Sequence, residues 1–110
     1  MNNKKHSIII TTTDDKKVAT SIAKALLEAK LAACVQINNI DSLFLWNGEL
    51  KKIKEFRLLI KTQDSHYNEV EKFILNNHNY DLPQIIKLDI VDGLSSYLEW
   101  VEKETSRYKA

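Results

Sequence analysis

Hydrophobic residues recur along the chain with two alternating spacings, and these spacings predict seven secondary-structure elements. β-branched residues are concentrated at 7–13 and 85–91, as in short strands, and a long apolar stretch runs from 31 to 62. Between these stretches apolar residues recur every three or four positions, which is typical of amphipathic helices. Ser96 and Glu99 form a capping-box pair that predicts the start of a last helix. The predicted order is strand, helix, strand, strand, helix, strand, helix, at 7–13, 14–30, 31–46, 49–62, 65–77, 85–91 and 96–105.

Asn47 and Gly48, in the middle of the long apolar stretch, predict a tight hairpin turn. Both residue types tolerate the positive φ that the two central positions of a type I′ turn require. With a two-residue loop, Trp46 pairs with Glu49, and the numbers of all paired residues sum to 95. This register places apolar residues opposite one another on one face of the hairpin, which stabilises the pairing of the strands.

The predicted hairpin is too long for the domain that carries it. A strand of about 15 residues spans roughly 50 Å, whereas a compact chain of this size has a radius of gyration of about 13 Å. The far end of the hairpin should therefore extend beyond the core. Its apolar residues lie on both faces: Leu43, Leu45 and Leu50 on one, and Ile40, Phe44, Trp46 and Ile53 on the other. Exposed apolar surface of this extent normally marks an interface, so we expect another copy of the chain to cover it.

The order of the elements indicates an α+β protein with the ferredoxin-like split βαβ fold. This fold has one antiparallel sheet of four strands, with the first two helices on one face, and here it carries an extended hairpin and a C-terminal helix. The other face of the sheet is expected to lack helices of its own chain. It mixes polar with apolar side chains, which suits an interface between subunits. The whole chain, 1–110, is predicted to be a single domain with loose tails at 1–6 and 106–110.

Composition narrows the class of protein. A hydrophobic content of 44% with 28% charged residues is ordinary for a globular protein, and a net charge of +1 argues against nucleic acid or an anionic membrane as partner. No apolar run has transmembrane length, and the first residues do not resemble a signal peptide. A single cysteine excludes an internal disulfide framework. We therefore expect a cytoplasmic protein.

Cys34 and His78 are the candidate metal ligands. No nucleophile elbow, Walker loop or nucleophile with its base is visible, so an enzyme is the least expected class. Cys34 lies opposite Lys61 in the predicted register, and a nearby ammonium favours the thiolate that binds metal; the alternative is a small buried strand residue. His78 ends the second helix, where it could cap the negative end of the helix dipole or bind a metal or an anion.

Several segments, taken in order, resemble the CutA family of divalent-cation tolerance proteins. They are LAACVQI at 31–37, SLFLWNGEL at 42–50, IKT at 60–62, NHNYDLPQII at 77–86 and YLEWV at 97–101. The resemblance implies a ferredoxin-like subunit in a tight trimer, with long hairpins packed across subunits, as in the PII-like architecture. It also implies a cytoplasmic role in tolerance to copper and other divalent cations, with copper bound by some members.

The resemblance also assigns roles to individual residues. Cys34 matches the cysteine of the family's AACV motif and His78 the histidine of its NHPYE-like motif, which implies a site for copper(II) or another divalent cation. The residues implied around the cleft between subunits are Lys61, Tyr80, Trp46 and Trp100. Asn79 stands where the family usually has proline, so we expect a more flexible loop around Tyr80. Phe44 stands where tyrosine is common, which removes one hydroxyl ligand.

Three functions are consistent with the sequence. The first is a homotrimeric divalent-cation tolerance protein that binds copper or another divalent metal. The alternative is a PII-like signalling trimer that binds a small ligand in the cleft between subunits, near Lys61 and His78. The third is a scaffold whose partner is another protein.

Overall fold

The computed structural model describes residues 5–106. A single turn of 3-10 helix, Asp64–His66, precedes the second α-helix. The main elements are β1 (His6–Thr13), α1 (Lys16–Glu28), β2 (Cys34–Trp46), β3 (Glu49–Gln63), α2 (Tyr67–Asn77), β4 (Ile85–Ile90) and α3 (Ser95–Glu104). The four strands form one antiparallel sheet in the order β2-β3-β1-β4. This is the predicted α+β, ferredoxin-like arrangement.

The long hairpin has the predicted register over its whole length. Strands β2 and β3 pair from Trp46 with Glu49 at the turn down to Cys34 with Lys61. The φ angles of Asn47 and Gly48 are 52° and 80°, as a type I′ turn requires. Pairing between β1 and β3 ends at Phe56, so residues 40–55 extend beyond the rest of the sheet. We call residues 40–55 the hairpin extension.

The core lies between one face of the sheet and helices α1 and α2. Asp15 caps α1, because its side chain accepts hydrogen bonds from the N–H groups of Lys17 and Val18. The largest fully buried core side chains are Ile9, Leu58 and Ile60 from the sheet, Ile22 and Leu26 from α1, and Val70 and Ile74 from α2. Alternate strand residues point to opposite faces, so the neighbours of Ile9 and Ile60 line the other face of the sheet.

Helix α3 covers one end of that other face, which was predicted to lack a helix. The amide of Gln63 donates to the Glu102 carbonyl and the Thr105 hydroxyl, at 3.3 and 2.9 Å. His6 Nε2 lies 2.8 Å from a carboxylate oxygen of Glu102. His6, expected in a loose tail, is thus part of β1 and only 6% exposed. Residues 1–4 and 107–110 of the predicted tails lie outside the described residues.

The predicted capping box of the last helix is wrong. Helix α3 begins at Ser95 with Leu94 as its N-cap, and no side chain caps it. The pairing of Ser96 with Glu99 therefore places the N-cap two residues too late. Within residues 5–106, no helix combines the length and the apolar character needed to cross a bilayer.

Candidate functional site

His78 leaves α2 in an extended conformation and is held against the end of β1. With φ −91° and ψ 150° it ends the helix. Its Nε2 lies 2.8 Å from the carbonyl oxygen of Thr12, and its Nδ1 accepts the N–H of Tyr80 at 3.0 Å. These partners assign a neutral imidazole with the proton on Nε2. In this conformation neither ring nitrogen has a lone pair free for a metal ion.

Asn79 is hydrogen-bonded through both ends of its side-chain amide. Its Oδ1 accepts from the hydroxyl of Thr13 at 2.5 Å, and its Nδ2 donates to a carboxylate oxygen of Asp14 at 2.8 Å. The expectation of a looser loop rested on the absence of a proline ring. These two hydrogen bonds instead attach the chain at this point to the residues that follow β1.

Tyr80 connects the same loop to the base of the hairpin extension. Its hydroxyl donates to one carboxylate oxygen of Glu55 at 2.7 Å, and the hydroxyl of Ser42 donates to the other at 2.6 Å. Glu55 is only 7% exposed. Burial, followed by the hydrogen bond to Glu55, raises the pKa of Tyr80, so its hydroxyl stays protonated as a donor at neutral pH.

Cys34 lies at the end of the hairpin that is farthest from the turn, with Lys61 directly across from it. The thiol residue is half-buried. Lys61 Nζ lies 5.7 Å from the ring centroid of Tyr97, and the rings of Tyr97 and Trp100 are 5.6 Å apart. Lys61 and Trp100, two of the residues predicted around a cleft, therefore meet through the aromatic ring of Tyr97.

Within one chain the predicted site residues fall into three separate groups. His78 contacts Thr12, which pairs with a residue of β3. That residue lies four positions along β3 from Lys61, the partner of Cys34. Cys34 and His78 are therefore separated by about 13 Å along the strands. Trp46, at the turn, is twelve residues along β2 from Cys34. Among residues 5–106, no group of three or more His, Cys, Asp or Glu side chains could hold a metal ion. One chain therefore does not bring the two predicted ligands together.

The sequence did not point to Glu55, Ser42 or the role of Asn79. Glu55 lies in a strand among lysines, and its tyrosine partner is 25 residues away in sequence. No local pattern indicates such a contact. The only signal was that an acidic residue shares a strand face with apolar residues of the hairpin extension, where it needs hydrogen-bond donors once it is buried.

The hairpin extension and the neighbouring sheet face expose apolar side chains. Leu45 and Leu50, paired across the strands, are 70% and 71% exposed, and Trp46 is 51% exposed. Ile86 and Leu88 of β4 are 43% and 50% exposed. Exposed apolar side chains paired in this way at the end of a hairpin are typical of protein–protein contacts.

Comparison with known proteins gives one consistent answer. Residues 7–104 match the family model described as CutA1 divalent ion tolerance protein. The divalent-cation tolerance protein CutA of Archaeoglobus fulgidus is 38% identical over 98 residues, which cover 89% of this chain and 96% of that protein. The CutA protein of Thermus thermophilus is 35% identical over 99 residues, with 89% and 96% covered.

Solved structures agree with the sequence comparison. The structure of the periplasmic divalent cation tolerance protein CutA from Archaeoglobus fulgidus superposes with a TM-score of 0.89 at 37% identity, over 92% of this chain and 99% of that one. The crystal structure of CutA1 from Ehrlichia chaffeensis gives a TM-score of 0.89 at 32% identity, over 96% and 99%.

Proposed function

This chain belongs to the CutA1 family of divalent ion tolerance proteins, and from that premise we propose that it is a cytoplasmic homotrimer that binds copper(II) or another divalent metal ion. The proposal is of a binding protein, not of an enzyme. It has two parts, the assembly and the metal, and each part rests on its own observation.

The assembly is supported by the hairpin extension. Among residues 5–106, no strand outside the hairpin pairs with residues 40–55, and a two-stranded ribbon alone is marginally stable in water. The extension is nevertheless apolar on both faces, with Leu45 and Leu50 largely exposed in the single chain. Burial of such side chains stabilises an assembly by roughly 25 cal/mol of free energy per Å² of apolar surface removed from water. Contact with other copies of the chain accounts for both features.

One observation carries the metal-binding part: the single cysteine of the chain, Cys34, is half-buried and directly opposite Lys61. A thiolate and an imidazole together suit copper better than magnesium or calcium. Because His78 is distant within one chain, the proposed site combines Cys34 of one subunit with His78 of another. The metal must displace the N–H of Tyr80 from His78 Nδ1, which costs about 1 kcal/mol for one hydrogen bond.

Native mass spectrometry of the untagged protein, before and after addition of copper(II), tests both parts. We expect an assembly of three times the 12.7 kDa chain mass that takes up a defined number of copper ions. The double variant Cys34→Ser/His78→Ala should lose that uptake. His66→Ala is the matched control, because His66 Nε2 also bonds a backbone carbonyl, that of Thr105 at 2.7 Å. This control should bind copper as the unmodified protein does.

Other outcomes of the same spectra would contradict the proposal in different ways. A monomer would overturn the trimer, and unchanged copper uptake by the double variant would overturn Cys34 and His78 as ligands. A copurified small molecule, with no defined copper uptake, would favour the alternative of a PII-like signalling trimer.

The proposed cytoplasmic location is supported by composition. The lone cysteine has no partner for an intramolecular disulfide, which suits a reducing compartment. Fractionation of the source cells should recover the protein with cytoplasmic markers. Recovery with markers of the periplasm or of an organelle would contradict this part of the proposal alone.

A further inference from the structure

Two consecutive residues of the loop after α2 contact three consecutive residues at and just after the end of β1. His78 bonds the Thr12 carbonyl, and Asn79 bonds the side chains of Thr13 and Asp14. Tyr80 then returns its N–H to His78 and extends its hydroxyl to Glu55. We call residues 78–80 the β1-anchored segment. Asn79 is its middle residue and is exposed. The side chain of Asn79 bonds the side chains of both Thr13 and Asp14.

The hydrogen bonds at Asn79 require a group that accepts on one side and donates on the other. The Thr13 hydroxyl accepts the N–H of Asp15 at 3.2 Å, so its own proton is directed to Asn79 Oδ1. The carboxylate of Asp14 can only accept, so it needs the N–H of Asn79 Nδ2. A carboxamide meets both demands. A carboxylate at position 79 would satisfy Thr13 but would face the carboxylate of Asp14.

From this pattern we infer that Asn79 is the positioning residue of the β1-anchored segment: its amide fixes the orientation of the His78 imidazole and delivers the Tyr80 hydroxyl to Glu55. The bearing of this role on metal binding rests on the proposed function, since His78 is a proposed ligand. The positioning itself is a property of the metal-free protein and is tested there.

The test is a cycle of variants in the full chain: Asn79→Asp, Asp14→Asn, and the double variant Asp14→Asn/Asn79→Asp. The first places two carboxylates together, whereas the double variant exchanges the donor and acceptor between the two positions and restores the bridge. Asp14→Asn alone keeps an acceptor for Asn79 and is the matched control. The readouts are amide hydrogen exchange at Tyr80 and the ¹⁵N chemical shifts of the His78 ring, which report its tautomer.

We expect Asn79→Asp to speed exchange of the Tyr80 amide by about tenfold, since the hydrogen bond to His78 Nδ1 then opens more often. The His78 shifts should move from the Nε2-protonated pattern towards a mixture of tautomers. The double variant should recover both the exchange rate and the shifts. Overall unfolding temperature is measured alongside, because a merely structural role would change that temperature without changing the tautomer.

Two results would overturn the inference: exchange and shifts unchanged in Asn79→Asp, or no recovery in the double variant. A copper(II) titration of the same four proteins separates this result from the proposed function. If the unmodified protein binds no copper while the cycle behaves as expected, the metal proposal fails and the positioning role of Asn79 stands.

Discussion

Three threonines on the core face of the sheet are completely buried, yet their hydroxyl groups differ in their partners. Thr11, Thr13 and Thr62 are each 0% exposed. The Thr13 hydroxyl bonds Asn79 and the N–H of Asp15, whereas those of Thr11 and Thr62 have no hydrogen-bond partner among the described residues. A buried polar group left without a partner costs about 1–3 kcal/mol. The β-branched shape suits the strand at all three positions, but the oxygen is useful at only one.

Thr62→Val should therefore raise the free energy of unfolding, by about 1 kcal/mol, because it removes an unpaired buried hydroxyl and keeps the side-chain shape. Thr13→Val is the matched change at a paired hydroxyl and should lower the same quantity by about 1–2 kcal/mol. Thermal and urea unfolding of the two variants measure the difference. Equal destabilisation by both would mean that the Thr62 hydroxyl has a partner in solution.

At the scale of elements, the long hairpin could be predicted because its determinants are local. Asn47 and Gly48 select the turn, and the turn then determines every pair from Trp46 with Glu49 to Cys34 with Lys61. The register alone places Lys61 opposite Cys34, so the pairing of this candidate ligand with a cation was also predictable. Both turn residues have positive φ, which only a few residue types adopt without strain.

Gly48→Ala tests how much the turn depends on that conformation. At Gly48 the φ angle is +80°, and a Cβ atom would meet nothing within 4 Å, so the cost is in the backbone alone. We expect a loss of about 1 kcal/mol in the free energy of unfolding. Gly93→Ala is the control, because a Cβ there would make ordinary contacts with Leu98 at 3.5–3.6 Å. An equal effect of both changes on the unfolding transition would show that the turn is not strained by alanine.

Helix α3 and the β1-anchored segment could not be predicted in the same way, because their positions depend on distant residues. Gln63 and Glu102 are 39 residues apart in sequence, and Thr13 and Asn79 are 66 apart. Ser96 and Glu99 have the spacing of a capping box, but packing of Val101 in the interior and the contacts of Gln63 set where α3 lies. Local spacing thus predicted the existence of this helix but not its cap or its position on the sheet.

At the scale of the whole molecule, the chain is elongated because of one element. Its radius of gyration is 15.0 Å, and its principal dimensions are 51, 26 and 21 Å. A compact chain of this length would have a radius of gyration of about 13 Å. The difference comes from the hairpin extension, which projects beyond the core formed by α1, α2 and the sheet. The fold of the core and the exposure of the extension are therefore separable properties.

This separation predicts that charges at the end of the hairpin will change assembly without unfolding the subunit. Leu45 and Leu50 face each other across the strands and are 70% and 71% exposed in the single chain. In the proposed trimer they are buried, and Leu45→Glu/Leu50→Glu would place two carboxylates in that interface. An unpaired buried charge is strongly unfavourable, so we expect the variant to dissociate at concentrations at which the unmodified protein remains a trimer.

Light scattering after size-exclusion chromatography measures the mass, and circular dichroism measures whether the subunit stays folded. Leu75→Glu is the matched control, because Leu75 is also an exposed leucine, at 52%, but lies on α2 away from the hairpin. It should leave the trimer intact. A double variant that remains trimeric would show that other surfaces, such as Ile86 and Leu88 of β4, hold the subunits together. Loss of helical signal together with loss of mass would show instead that the hairpin extension and the core are one cooperative unit.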